Sequence, residues 1–84
     1  MEINLKLFMK FKRYLPEGSD DGKAKLILDD GSTFLDLLHT IGMPAQEDKI
    51  IVINGISHKQ GETVNQLVLN HHDTVAIFPP IAGG

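Results

Sequence analysis

A chain of 84 residues allows one domain with a modest core, and without cysteine it has neither a disulfide staple nor a thiolate metal site. Its net charge of −3 argues against broad nucleic-acid binding. No apolar run approaches the ~20 residues that span a bilayer, and Met1 to Lys6 alternate polar and apolar instead of forming a signal-peptide core, so a soluble cytoplasmic protein is expected.

Residues 2–10 place Ile3, Leu5, Leu7 and Met9 on one face and Asn4, Lys6, Phe8 and Lys10 on the other, the period of a half-buried strand. Phe8 is the one aromatic on the polar face. Lys10, Lys12 and Arg13, interleaved with Phe11 and Tyr14, read as a solvated strand end. From Leu15 to Lys23 the chain carries Pro16, Gly18, Ser19, Asp20, Asp21 and Gly22, turn chemistry too long for a two-residue hairpin. A second strand is expected over 23–28, with Ala24, Leu26 and Leu28 on one side, closed by Asp29-Asp30-Gly31. The two Asp-Asp-Gly turns lack the ligand order of a calcium loop.

Ser32 or Thr33 can cap a helix whose first turn holds Asp36. Phe34, Leu37, Leu38 and Ile41 form its apolar stripe, Gly42 fits the position just past its end, and Pro44 stops it, giving a helix over 33–41. Ile50 to Ile53 is a continuous β-branched run, the pattern of a strand covered on both faces or set inside a sheet. Asn54-Gly55 is a hairpin turn, and residues 56–58 form the short return. A short helical turn is expected around Val64, Leu67 and Val68. The last strand runs from Asp73 to Phe78, with Val75 and Ile77 facing one way and Thr74, Ala76 and Phe78 the other.

His58, His71 and His72 lack the spacing of a metal site, since adjacent residues on a strand face opposite ways and no third ligand is nearby. No Gly-rich phosphate loop and no Ser/His/Asp or Cys/His set is present, so no metal or self-sufficient active site is expected. One sheet with one helix packed on it is an α+β layer pair. If the first and last strands pair at its centre, Phe8 and Phe78 share the uncovered face, with Ala76 between them. That is an apolar docking patch, or a pair of rings that shield each other.

Beyond Phe78 the chain ends Pro79-Pro80-Ile81-Ala82-Gly83-Gly84. The prolines fix φ and lack N–H donors, so residues 1–78 read as the domain and 79–84 as a stiff stalk with a thin tip, reaching at most roughly 20 Å. Its only reactive group is the α-carboxylate of Gly84.

Four features together resemble the MoaD/ThiS family of ubiquitin-like sulfur carriers, and within it the small subunits of molybdopterin synthase. They are Leu7-Phe8, Ile41-Gly42-Met43-Pro44, Val52-Ile53-Asn54-Gly55, and Asp73 to Pro80 running into Gly83-Gly84. His71-His72-Asp73 departs from the family's Asp-Gly-Asp turn, and the segment from His58 to Asn70 is long for it. The resemblance implies a β-grasp, a mixed sheet of four to five strands with one main helix on one face. It also implies that an E1-like enzyme adenylates Gly84 with ATP and magnesium, the chain itself binding no cofactor. A persulfide donor then leaves a thiocarboxylate, and the tail enters the large synthase subunit, in a heterotetramer, to donate sulfur to a pterin. Gly83, Pro79 and Pro80 would serve tail access, and Phe8, Ala76 and Phe78 docking. A carrier for thiamine, a protein modifier joined through Gly84 and a plain interaction domain are the other readings.

Overall fold

The computed structural model describes residues 1–80. Its strands are β1 (Glu2–Leu7), β2 (Lys23–Ile27), β3 (Ile50–Ile53), β4 (Ile56–His58) and β5 (Thr74–Phe78). They form one mixed sheet in the order β2-β1-β5-β3-β4, with β1 and β5 parallel at its centre and the other pairs antiparallel. The helices are α1 (Phe34–Ile41) and α2 (Glu62–Asn65), and a 3₁₀ helix spans Met9–Tyr14. This is a β-grasp.

Period two in the sequence becomes one buried face. Ile3, Leu5 and Leu7 of β1, Val75 and Ile77 of β5, and Ile51 and Ile53 of β3 are buried together with Phe34, Leu37 and Leu38 of α1. The helix starts where a reciprocal cap allows it: the Asp36 N–H donates to Thr33 Oγ1 at 3.2 Å and the Thr33 N–H to Asp36 Oδ2 at 2.9 Å. It stops at Gly42, whose left-handed φ of 80° a glycine adopts without steric cost.

Several local expectations need correction. The first strand ends at Leu7, because Met9 takes a left-handed φ of 54° and turns the chain into the 3₁₀ helix. Met9, expected among the buried residues, is exposed, and Phe11 takes the interior position instead. The basic cluster therefore lies on a helix, where Arg13 Nη2 meets Glu47 Oε2 at 3.1 Å. The long turn does end in a two-residue hairpin: Asp21 and Gly22 both have positive φ, and Asp20 and Lys23 exchange backbone hydrogen bonds of 3.1 and 2.9 Å. A Cβ on Gly22 would sit 2.8 Å from the Leu7 carbonyl oxygen, so this closeness to β1 requires glycine. β3 lies inside the sheet but is covered on one face only, and Ile50 is 40% exposed. The helical turn in 61–70 is the single turn of α2, which buries Val64 and leaves Leu67 and Val68 exposed.

Nothing in the residue pattern announces the role of Lys49. Its side chain is buried, and its Nζ donates to the carbonyls of Pro44 at 3.1 Å, Ala45 at 3.0 Å and Glu47. Gln60 completes the clamp. Its Oε1 accepts from the Lys49 N–H at 2.9 Å, and its Nε2 donates to the carbonyls of Ala45 and Glu47. Burial pushes the Lys49 pKa down, and the carbonyls solvate the charge that water no longer reaches.

Two places in the local geometry, the helix cap and the turn before β5, generate tests. Thr33→Ala is expected to cost about 1 kcal/mol in urea unfolding. Hydrogen bonds from the Thr33 backbone and then its side chain hold the Asp36 carboxyl below its ordinary 3.8. A depressed carboxylate stabilises the fold above the unfolded value and loses that contribution as pH falls through the folded value. The stability gap between wild type and Asp36→Asn should therefore narrow as pH drops below 3.8. The other concerns His72, whose φ of 72° closes the turn in which Asp73 N–H donates to the Asn70 carbonyl. The left-handed penalty of about 1–2 kcal/mol exceeds glycine's entropic cost of about 0.5–1. Thermal unfolding of His72→Gly should show a gain near 0.5 kcal/mol.

Candidate functional site

Among the described residues no helix covers the sheet face away from α1, and the strand registers place its residues in rows. Ile50 stands opposite Phe78; Lys6 and Val52 flank Ala76; Asn4 stands opposite Thr74. Phe8 follows β1 in extended conformation, with φ −125° and ψ 148°, and so keeps the outward direction that period two assigns to it. Its carbonyl accepts from the Phe11 N–H at 3.0 Å, and Phe11 is fully buried beneath. The position of Phe8 is thus set from inside the domain.

The rings of Phe8 and Phe78 stack with centroids 4.1 Å apart and planes inclined by 10°. Both side chains are half-buried. Each ring shields one face of the other, while Ile50 and the half-buried Val52 extend the apolar surface across β3. Ala76 does not lie between the rings, as the sequence suggested. It sits one row back, between Lys6 and Val52, and is itself buried, a small residue that lets its neighbours close over it.

Pro79, the first residue of the expected stiff stalk, is buried, whereas Pro80 is exposed. Two supports hold this end of the sheet. The Lys49–Gln60 clamp fixes the residue just before Ile50, the neighbour of Phe78. Tyr14, with its hydroxyl 2.5 Å from Glu47 Oε1, ties the 3₁₀ helix to the same loop. Gly83 and Gly84, the remaining residues assigned to the site, lie outside the described residues.

His71 and His72 lie in the turn before β5, and their ring centroids are 3.7 Å apart. His71 Nδ1 accepts from the Glu2 N–H at 2.9 Å, a structural bond that joins the turn to β1. His58 belongs to edge strand β4, on the far side of β5 and β3 from β1. Among the described residues no three His, Cys, Asp or Glu side chains gather as metal ligands would. No helix among them is long and apolar enough to cross a membrane.

Among the described residues the arrangement presents an apolar surface centred on Phe8 and Phe78. Sequence periodicity found Phe8 and Phe78. It missed Ile50 and Val52, whose outward placement could have been read by counting back from the Asn54-Gly55 turn.

The model of the ThiS family matches residues 9–84. No curated protein matches the sequence. Among solved structures, SAMP1 from Haloferax volcanii is 23% identical, with each chain covered in full and a TM-score of 0.67. The Haloferax volcanii HVO 2177 protein is 25% identical over all of this chain and 87% of its own, with a TM-score of 0.72. A Pyrococcus furiosus protein described as molybdopterin converting factor, subunit 1, is 20% identical over 95% of this chain and 98% of its own, with a TM-score of 0.67.

The stacked pair generates a direct test. A double-mutant cycle with Phe8→Ala and Phe78→Ala, read by urea unfolding, should give a coupling of about 0.5–1.5 kcal/mol.

Proposed function

The chain belongs to the ThiS family of small ubiquitin-like sulfur carriers, and from that premise we propose that it is the sulfur-donating small subunit of molybdopterin synthase. The observation that carries this reading is the stacked Phe8–Phe78 pair, held on the uncovered face at the point where Phe78 passes into Pro79-Pro80. A docking surface at the root of a narrow tail is what a carrier needs when its terminus must enter other proteins' active sites.

The chemistry resides in the α-carboxylate of Gly84. A carboxylate is a poor electrophile, so an E1-like enzyme first joins it to AMP from ATP. The terminal sulfur of a persulfide donor then forms the carbonyl–sulfur bond as AMP leaves, and a second thiol breaks the resulting acyl persulfide's S–S bond, releasing the thiocarboxylate and ending as a disulfide with the donor's remaining sulfur. The large synthase subunit receives the tail, and the sulfur passes to a pterin precursor to build the dithiolene. Gly83 and Gly84 pass through spaces that a Cβ would block, and the prolines limit the entropy lost when the tip is ordered. Phe8, Ala76 and Phe78 supply docking area that the tip lacks. The assembly is a heterotetramer with two large subunits, formed in the cytoplasm.

The same fold occurs in SAMP1, a small archaeal modifier protein. Attachment of Gly84 to lysines of other proteins is therefore the second reading. Intact mass after incubation with the adenylating enzyme, ATP and the sulfur donor distinguishes the two: one oxygen-for-sulfur exchange marks a carrier, and larger conjugates mark a modifier. Deleting Gly84 is expected to abolish sulfur transfer while leaving docking measurable, and full activity without it would refute the assignment.

A further inference from the structure

The Asn54-Gly55 turn is fastened to the chain it faces. Asn54 and Gly55 have φ of 51° and 79°, so both residues of the turn are left-handed, and both are exposed. The Asn54 N–H donates to the Thr74 carbonyl at 2.8 Å. Its carboxamide is held at both ends: Oδ1 accepts from the Thr74 N–H at 2.9 Å, and Nδ2 donates to Asp73 Oδ1 at 2.8 Å. The other Asp73 oxygen, Oδ2, accepts from the Asn70 N–H at 2.8 Å. One carboxylate thus joins the turn after β3 to the turn before β5.

Asparagine followed by glycine is also the pairing most open to self-modification, because glycine leaves its backbone nitrogen uncrowded. When that nitrogen gives up its proton and attacks the side-chain Cγ, a C–N bond forms, the Cγ–Nδ2 bond breaks, and ammonia leaves with the proton. Water then opens the resulting succinimide ring to aspartate or isoaspartate. Of Asn4, Asn54, Asn65 and Asn70, only Asn54 precedes glycine. The attack needs the carboxamide to turn its face toward the Gly55 nitrogen. A rotation of that kind breaks the bonds to Thr74 and Asp73 together.

We propose that Asn54 is a deamidation site which the Asp73–Thr74 clamp keeps closed, so that its conversion records the time the clamp has spent open. Chemistry on a transiently opened state follows the population of that state when opening and closing are fast. The reaction is irreversible, and its product cannot refasten. A carboxylate at position 54 sets a second negative charge where Nδ2 stood, against Asp73 Oδ1, with no proton between them. Isoaspartate in addition lengthens the backbone of a two-residue turn by one methylene, which disturbs the pairing of Ile53 with Ile56. Because β5 runs from Thr74 to Phe78, a converted chain has lost the fastening of the strand that carries one of the stacked rings.

The experiment incubates the full chain at mildly alkaline pH and follows the tryptic peptide Ile50–Lys59, in which Asn54 is the only carboxamide, by mass spectrometry. Conversion adds about 1 Da. Folded wild type should convert at least about tenfold more slowly than the same chain unfolded in guanidinium chloride. Folded Asp73→Ala should convert about three- to tenfold faster than folded wild type, the effect of losing one hydrogen bond to a charged group. Hydrogen exchange of the Thr74 N–H, read by NMR on wild type, keeps the test independent of whether that variant folds. Conversion and exchange should rise together as guanidinium chloride is raised below the unfolding midpoint. Conversion of folded wild type at the unfolded rate would overturn the proposal. So would a folded Asp73→Ala that converts no faster than wild type, or conversion that quickens while the Thr74 N–H stays protected.

Discussion

The parallel pairing of β1 with β5 is the constraint on which the rest of this molecule depends. It sets Lys6 beside Ala76 and Leu7 beside Ile77, so one step further on Phe8 and Phe78 come together at the same end of the sheet. Parallel direction is essential here. An antiparallel β5 would carry its last residue to the opposite end of β1, and Phe78 would leave the sheet far from Phe8. The same pairing makes β1 and β5 the inner strands, buried on one face by α1 and left bare on the other. A covered core and an open platform thus come from one hydrogen-bonding choice.

The end of the sheet that carries the aromatic pair is braced by polar contacts, not by more apolar packing. Lys49 places its ammonium among three backbone carbonyls, and Gln60 holds two of the same carbonyls as well as the Lys49 N–H. Such a buried cation has little net value for stability, but losing one partner would leave the others unsatisfied. The clamp therefore gives the loop before β3 a single conformation, and Ile50 a fixed place beside Phe78. Tyr14 and Arg13 hold the same loop from the other side through Glu47.

Much of the fold was legible because its signals are local. The alternation of Ile3, Leu5 and Leu7, the Thr33/Asp36 cap, Gly42 and the Asn54-Gly55 turn each carry their own instruction. What was not legible depends on long-range partners or on backbone. Met9 continues the alternation, and only its positive φ reveals that the strand has ended. The carbonyls around Lys49 leave no trace in residue identity. The β-branched run of β3 suits a strand covered on both faces as well as one set inside the sheet, and only the topology selects the second. At the site, Phe8 and Phe78 stood out by breaking a polar face, whereas Ile50 and Val52 belong to an unbroken apolar run that by itself marks no outward face.

The stacked pair takes one ring from each end of the chain. Phe8 exists early in synthesis, but its neighbour arrives only with the last strand, and a contact spanning most of the chain cannot form until the intervening elements have folded. A truncated or half-folded copy therefore lacks the surface by which a partner would hold it. Under the function proposed above, the platform would act as a certificate of completion: only a molecule whose two ends have already met would present its terminus for activation.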